Sequence, residues 1–133
     1  MVLFTVNEYF AKSCPHCEHM EPVWAKAASA GASDAVAWNQ KECYGAGWTE
    51  GKDLSTCTAD GVKEFPTIVM YKTGTSDKWT APQFDGNTVE ERAEQLLNFV
   101  NSHMDNGNVA QSVLPAALMA FTTSGIYKYR NFI

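Results

Sequence analysis

The chain has 133 residues, of which 45% are hydrophobic and 12% aromatic, so it is long and apolar enough to fold as one globular domain. Its net charge of −5, with no basic cluster to offset it, excludes a general nucleic-acid binder. Its four cysteines are too few, in a chain of this length, to indicate a disulfide-stapled miniprotein.

The first predicted element is a strand from Val2 to Phe10, an extended apolar run typical of a central strand buried on both faces. Glu8 is the exception in this run, because a buried carboxylate is costly unless it is paired or neutral. The alternative is that Glu8 points to a solvated edge of the sheet.

A Cys-Pro-His-Cys motif follows this strand, where a helical pattern predicts a helix from Cys14 to about Ala30. Cys14 would lie at the helix start, where unpaired backbone N–H groups and the helix dipole favour a thiolate. Pro15 suits the first helical turn, because its missing N–H costs nothing there. Cys17 lies one turn further along the same face, so it could close a disulfide with Cys14. A motif of this kind at a strand–helix junction indicates redox chemistry.

The middle of the chain shows alternating, glycine-rich and helical patterns that predict four further segments. In chain order they are a short strand at Ala35–Trp38, a loop from Lys41 to Gly51, a short helix within Asp53–Asp60, and a strand at Thr67–Lys72. The two remaining cysteines lie in neighbouring segments, Cys43 in the loop and Cys57 in the short helix.

Two elements complete the predicted domain. The segment Trp79–Phe84 predicts an antiparallel edge strand, because Pro82 within it cannot donate a hydrogen bond to a neighbouring strand. The segment Val89–Met104 predicts a helix with one apolar face, and Thr88 with Glu91 forms a capping box at its start.

The predicted domain spans residues 1–105, and residues 106–133 form a tail of unknown role. The tail is uncharged from Asn106 to Tyr127, and Lys128 and Arg130 follow. A membrane anchor is one interpretation, but its polar residues favour a mobile or packed tail, since a spanning segment needs about 20 predominantly apolar residues. No leader is visible before the first strand, which favours a soluble intracellular protein. If a leader has been removed, we expect the secretory pathway instead.

The order of elements resembles the thioredoxin fold, and the run from Glu8 to Trp24 resembles the signature of the catalytic domains of protein disulfide isomerases. Glu8 stands where that family keeps a buried carboxylate, and Pro22 where a proline kinks the active-site helix. The resemblance covers about residues 2 to 104. It implies an α/β fold with a central mixed sheet flanked by helices, without the family's usual first strand and helix.

The resemblance implies a thiol–disulfide oxidoreductase, whether oxidase, isomerase or reductase, that acts through a mixed disulfide. Cys14 matches the attacking cysteine, Cys17 the resolving cysteine, and Glu8 the base that serves Cys17. His16 would stabilise the Cys14 thiolate, and the pair Pro15-His16 resembles that of bacterial periplasmic dithiol oxidases. We therefore expect a reduction potential in the upper half of the range from about −270 to about −120 mV.

Three residues, Phe65, Pro66 and Thr67, resemble the family loop that ends in a cis-proline. The backbone of Phe65 would then pair with an extended substrate peptide, whereas an ordinary trans-proline is the alternative. Cys43 and Cys57 resemble a cysteine pair of many isomerase domains. A structural disulfide, two buried thiols and a shuttle pair all stay open for them, because connectivity cannot be read from sequence.

Two substitutions depart from the family pattern. Trp38 stands where the family often keeps a lysine paired to the buried carboxylate, so we expect a raised pKa for Glu8. Thr88 stands where isomerases often carry an arginine that assists the second thiol, which calls efficient turnover into question.

The expected partners are protein thiols and disulfides, met by a monomer with no cofactor beyond the Cys14–Cys17 disulfide. One alternative is a non-catalytic adaptor of the same fold that binds peptides while its cysteines stay idle. A zinc site built from Cys14, Cys17, a histidine (His16 or His19) and a distant cysteine is a weaker alternative, because no second Cys-x-x-Cys or histidine pair completes a ligand set. We therefore expect no metal.

Overall fold

The structure, a computed structural model, describes residues 1–104, so both interpretations of the tail at residues 106–133 lie outside the described residues. In chain order its elements are β1 (Phe4–Ala11), α1 (Pro15–Ala30), β2 (Val36–Tyr44), a 3-10 turn (Ala46–Trp48), α2 (Leu54–Ala59), β3 (Thr67–Lys72), β4 (Lys78–Thr80) and α3 (Val89–Met104). Within residues 1–104, no helix has the length and apolar character needed to span a bilayer.

The four strands form one mixed sheet in the order β2-β1-β3-β4. β1 runs parallel to β2 and antiparallel to β3, and β4 is antiparallel to β3. β1 therefore lies inside the sheet with a partner on each side, which agrees with its nearly continuous apolar sequence. The predicted α/β class with a central mixed sheet is confirmed.

Helices cover both faces of the sheet and enclose the two larger of the three apolar clusters among the described residues; the third contains Ala11, Cys14 and Cys17. The larger cluster lies between the sheet, α1 and α3, and includes Val6, Trp24, Met70 and Leu97. The smaller cluster joins β1, β2 and β3 to α2 on the other face, through Tyr9, Cys43, Cys57 and Val69. The Cys-Pro-His-Cys motif at the start of α1 is thus held by a helix that is anchored in the larger core.

β2 is longer than the sequence predicts, and the prediction of a loop from Lys41 is wrong for its first four residues. Tyr9 pairs with Lys41 and Phe10 with Glu42, so strand pairing continues to Tyr44 despite the polar sequence. A register shift between Phe10 and Ala11 leaves Cys43 as an extra residue in β2. Pairing with the central strand therefore overrides local composition here.

β4 is shorter than predicted and stops at Thr80. The next backbone N–H, that of Ala81, still donates to the carbonyl of Ile68 at 2.8 Å. Pro82 then has no N–H to donate, so pairing cannot continue toward Phe84.

Of the two hydrogen bonds in the predicted capping box of α3, one forms as expected and the other has a different donor. The hydroxyl of Thr88 accepts a hydrogen bond from the backbone N–H of Glu91 at 3.0 Å, as a capping box requires. The carboxylate of Glu91, however, accepts from the N–H of Asn87 at 2.6 Å rather than from that of Thr88. The side chain of Thr88 is thereby used to start the helix.

Candidate active site

The two cysteines of the motif occupy the first turn of α1. Cys14 is the N-cap residue, with extended backbone angles (φ −86°, ψ 120°), and Pro15 begins the helix. The carbonyl of Cys14 accepts from the backbone N–H of Cys17 at 3.0 Å and from that of Glu18 at 3.1 Å. Both cysteines are free thiols, so the structure describes the reduced form of the pair.

The two thiols differ in their surroundings more than in their exposure, since Cys14 is 7% and Cys17 6% exposed. The Cys14 thiol donates to the carbonyl of Phe65, with 3.6 Å between sulfur and oxygen. Burial raises the pKa of Cys17 to about 12, and a backbone hydrogen bond at Ala11 opposes that shift only in part. Cys17 is thus a thiol that needs a base before it can react.

Glu8 provides a carboxyl group inside the sheet, on β1 and only 1% exposed. Burial disfavours its charged form and raises its pKa to about 7. A hydrogen bond from Gln40, at 2.9 Å between Nε2 and Oε1, lowers that pKa, and the negative charge of Glu21 raises it. Glu8 is therefore close to half ionised at neutral pH.

The residue beside this carboxyl group is Gln40. The prediction that Trp38 occupies the position next to Glu8 is wrong. In the parallel register of β1 and β2, Glu8 lies opposite Gln40, and Trp38 lies opposite Val6. Trp38 instead packs edge-on against Trp24, with 5.4 Å between ring centroids. The sequence identifies Gln40 only once the register is known, because a shift of two residues changes the partner while keeping the face. The expected absence of a cation at this position still agrees with the raised pKa of Glu8.

Glu8 and Cys17 line the same cavity, which has a volume of about 320 Å³ and also borders Gln40 and the exposed Glu21. A cavity of this size can hold several water molecules, and its walls carry polar groups to bind them. Glu8 and Cys17 therefore share a polar space that extends to the exposed side chain of Glu21.

A second groove, of about 360 Å³, lies on the other side of the motif and is lined by His16, Phe65, Pro66, Phe84 and other residues. The peptide bond between Phe65 and Pro66 is cis. Within residues 1–104, no backbone hydrogen bond involves Phe65. His16 is exposed on the groove wall. Within the described residues, it makes no hydrogen bond to Cys14. The hydroxyl of Thr67 donates to the carbonyl of Glu64 at 2.6 Å.

Cys43 and Cys57 form a disulfide between β2 and α2, with 5.8 Å between their Cα atoms. Both are fully buried, at 0% and 1% exposure. Beside them the Tyr9 hydroxyl donates to Asp60 at 2.8 Å and lies 2.6 Å from the Tyr71 hydroxyl, a polar cluster that the sequence did not reveal. Of the three alternatives, burial favours the structural disulfide, because a shuttle pair must meet other sulfur atoms.

Replacing both Cys43 and Cys57 with alanine is expected to lower the free energy of unfolding by about 2–4 kcal/mol, because the chain between them is no longer constrained when unfolded. Urea denaturation, followed by circular dichroism at equal protein concentration, measures the loss. The matched control is the double variant of Cys14 and Cys17 to alanine, which removes two thiols but no bond in the reduced protein. Equal stability of both double variants would contradict a structural role.

The described residues contain no group of three or more histidine, cysteine, aspartate or glutamate side chains that could hold a metal ion. The motif lies near one buried carboxyl group and near the backbone of Phe65, which has no backbone hydrogen-bond partner within the described residues.

Comparison with known proteins gives a consistent result. A family model described as Thioredoxin matches residues 3–102. The protein disulfide-isomerase of Saccharomyces cerevisiae is 28% identical over 111 residues, which cover 84% of this chain and 19% of that protein. The chain thus spans about a fifth of the length of this curated relative.

Solved structures with similar folds include three with TM-scores between 0.54 and 0.57. The J-Trx1 fragment of ERdj5 is 18% identical and has a TM-score of 0.57, with 78% of this chain and 43% of that chain covered. The first two thioredoxin domains of Saccharomyces cerevisiae Eps1p are 19% identical, with a TM-score of 0.56 and coverage of 82% and 38%. The first thioredoxin domain of mouse protein disulfide-isomerase A4 is 20% identical, with a TM-score of 0.54 and coverage of 78% and 65%. At these identities the likeness concerns the fold, which is thioredoxin-like.

Proposed function

Because the chain belongs to the thioredoxin family, we propose that it is a thiol–disulfide oxidoreductase acting on protein substrates through Cys14 and Cys17. The observation that carries this proposal is the cavity shared by Glu8 and Cys17, three residues along the chain from the free thiol of Cys14. Those three groups supply an attacking sulfur, a resolving sulfur and a proton acceptor, which is what thiol–disulfide exchange requires.

In the first step the thiolate of Cys14 attacks one sulfur of a substrate disulfide. A bond forms between Cys14 and that sulfur, the substrate's own S–S bond breaks, and the second substrate sulfur leaves as a thiolate. The N-cap position supports this role for Cys14, because the positive end of the helix dipole stabilises negative charge there.

In the second step Cys17 breaks the mixed disulfide. Its pKa of about 12 keeps it protonated at neutral pH, so the carboxylate of Glu8 takes the proton through water in the shared cavity. The Cys17 sulfur then bonds to that of Cys14, and the substrate sulfur leaves as a thiolate. The substrate has gained two electrons, and the chain holds a Cys14–Cys17 disulfide. The reverse sequence oxidises a substrate dithiol.

The backbone of Phe65 is the proposed docking edge for the substrate. Its N–H and carbonyl have no backbone partner within the described residues, and its carbonyl lies 3.6 Å from the Cys14 sulfur. An extended peptide paired to this edge, between Pro66 and the motif, would hold its own sulfur close to Cys14. His16 lines the groove next to this edge, from which it can act on the Cys14 thiolate once that charge forms.

The reduction potential of the Cys14–Cys17 pair in glutathione buffers tests the proposal. We expect a reversible two-electron couple at or above about −200 mV, which supports an oxidase or isomerase. A value near about −270 mV would indicate a reductase and would remove the reason to assign His16 a role in the potential. The Cys17→Ser variant is the control and should show no two-electron couple.

The absence of any reversible couple in the folded protein would contradict the catalytic proposal. The same fold would then serve as a peptide-binding adaptor that uses the Phe65 edge with idle cysteines. Equilibrium binding of a peptide whose cysteine is replaced by serine then tests the adaptor. An adaptor binds this peptide, whereas a protein with no functional peptide-binding edge does not.

A further inference from the structure

The segment of residues 45–51, called the Trp48 loop from here on, closes tightly on the end of β2. The N–H of Gly45 donates to the carbonyl of Thr49 at 2.8 Å, and the N–H of Gly51 donates to that of Cys43 at 3.0 Å. A Cβ atom at Gly51 would lie 2.8 Å from the carbonyl carbon of Cys43, so only glycine allows this approach. The loop is therefore fixed to the residue that carries the buried disulfide.

Trp48 stands out on this loop because its side chain is 52% exposed. Among the described residues, only Met1 and Val2 are exposed large hydrophobic residues besides it. Its backbone has φ +61°, a left-handed conformation that bulky residues rarely adopt. The closed loop thus holds the indole at the surface, where it can contact another molecule.

The Trp48 loop is directly connected to the proposed active site. The N–H of Gly47 donates to the hydroxyl of Ser13 at 2.7 Å, and Ser13 immediately precedes Cys14. A row of aromatic rings runs along the same side. Trp48 lies 6.0 Å from Tyr44, and Tyr44 lies 5.8 Å from Phe65, measured between ring centroids. The row ends at Phe65, whose carbonyl faces the Cys14 sulfur.

We propose that Trp48 and Tyr44 bind an apolar or aromatic side chain of the substrate polypeptide, within about four residues of its reactive cysteine. This inference rests on the proposed function. It follows from the continuity of the aromatic row with the Phe65 edge, since two ring spacings of about 6 Å correspond to three or four residues of extended chain at about 3.3 Å each. The site would select substrates by sequence near the cysteine, in addition to their redox state.

The chemistry around Trp48 favours this occupant over a second copy of the chain. The neighbouring residues Thr49, Glu50 and Lys52 are exposed and polar, so the apolar patch is about one indole wide. A stable dimer interface needs about 800 Å² of surface from each partner, far more than one side chain gives. A single indole beside a polar rim instead fits one apolar side chain of an extended peptide.

The test compares disulfide-linked peptides in matched pairs. The two members of a pair differ only in having phenylalanine or serine three residues from the cysteine, and one pair varies the residue before the cysteine while the other varies the residue after it. For the reduced native protein in a single turnover, we expect the second-order rate constant of exchange to be about five- to tenfold higher for the phenylalanine peptides. In Trp48→Ala that preference should fall to about one, and Trp48→Phe should keep part of it. Val2→Ala is the matched control, because it removes exposed apolar surface far along the chain from the loop.

Oxidised glutathione, which is too small to reach Trp48, separates this inference from the proposed function. We expect Trp48→Ala to reduce it at the native rate, within about twofold. An equal loss with glutathione and with both peptides would overturn the inference, because Trp48 would then support the reactive site itself. An unchanged peptide preference in Trp48→Ala would also overturn it.

If the native protein exchanges with none of these substrates, the proposed function fails, but the docking surface can still be measured. Fluorescence anisotropy of labelled peptides with serine in place of cysteine then reports binding alone. Weaker binding of the phenylalanine peptide by Trp48→Ala than by Val2→Ala supports the surface, and equal binding overturns it.

Discussion

The variant Glu8→Gln is expected to be more stable than the native protein above pH 7 and yet slower in the resolving step. The pKa of Glu8 is raised from 4.5 to about 7, so its contribution to stability is complete below pH 4.5 and is lost as the pH rises through 7. By pH 8 this loss amounts to about 3 kcal/mol, which the uncharged glutamine avoids. Urea unfolding at pH 4 and pH 8 should show a small difference between the proteins at the lower pH and a much larger one at the higher pH.

The same substitution removes the proposed proton acceptor of Cys17. We therefore expect the second step, in which Cys17 releases the substrate sulfur from the mixed disulfide, to slow by about 10²-fold at pH 7.5. In the native protein this rate should rise with pH and level off above about 7, as Glu8 ionises. In Glu8→Gln it should keep rising with pH, because hydroxide must then take the proton from a thiol with a pKa of about 12. Stopped-flow measurement of thiol release across pH 5–9 distinguishes the two profiles.

Glu21→Gln is the matched control for both experiments, since it removes an exposed carboxylate that borders the same cavity. Its expected effect is a small downward shift of the pH at which the rate levels off, because the charge of Glu21 raises the pKa of Glu8. A Glu8→Gln protein that kept the native pH profile would show that another group accepts the proton.

The variant Cys17→Ser is expected to accumulate as a covalent complex with its substrate, because no thiol remains to break the mixed disulfide at Cys14. Cys14→Ser should form no complex, and its turnover should fall by about 10³-fold or more toward the uncatalysed rate. Non-reducing electrophoresis and intact mass measurement detect the complex directly. Each variant serves as the control for the other, and a complex on Cys17 in Cys14→Ser would reverse the proposed roles.

Much of the fold followed from local signals in the sequence. The bounds of β3 and α3 match the predicted Thr67–Lys72 and Val89–Met104, because periodicity and turn residues define both segments. The start of α1 was readable for the same reason, since Cys14 and Pro15 combine a chemical motif with a helix start. Where local sequence signals agree with the folded conformation, a single sequence is enough to predict the bounds of an element.

The features that escaped prediction all depend on contacts between distant segments. The extension of β2 through Lys41 depends on pairing with β1, and the contact of Gln40 with Glu8 depends on the register of that pair. The polar cluster of Tyr9 and Asp60 joins residues far apart in the chain. The position of Trp48 near the motif likewise depends on the folded loop, whose Gly47 N–H donates to the hydroxyl of Ser13.

The burial of the Cys43–Cys57 disulfide has a consequence for how many electrons the domain can hold. Its sulfur atoms are closed off inside the smaller core, whereas Cys17 lines a groove and Cys14 keeps 7% of its surface exposed. On the proposed function, a folded molecule therefore exchanges two electrons with its surroundings, and an unfolded one exchanges four. The electron stoichiometry becomes a marker of the folded state, and the reactive pair can cycle between its two oxidation states while the sulfur bridge that supports the fold stays intact.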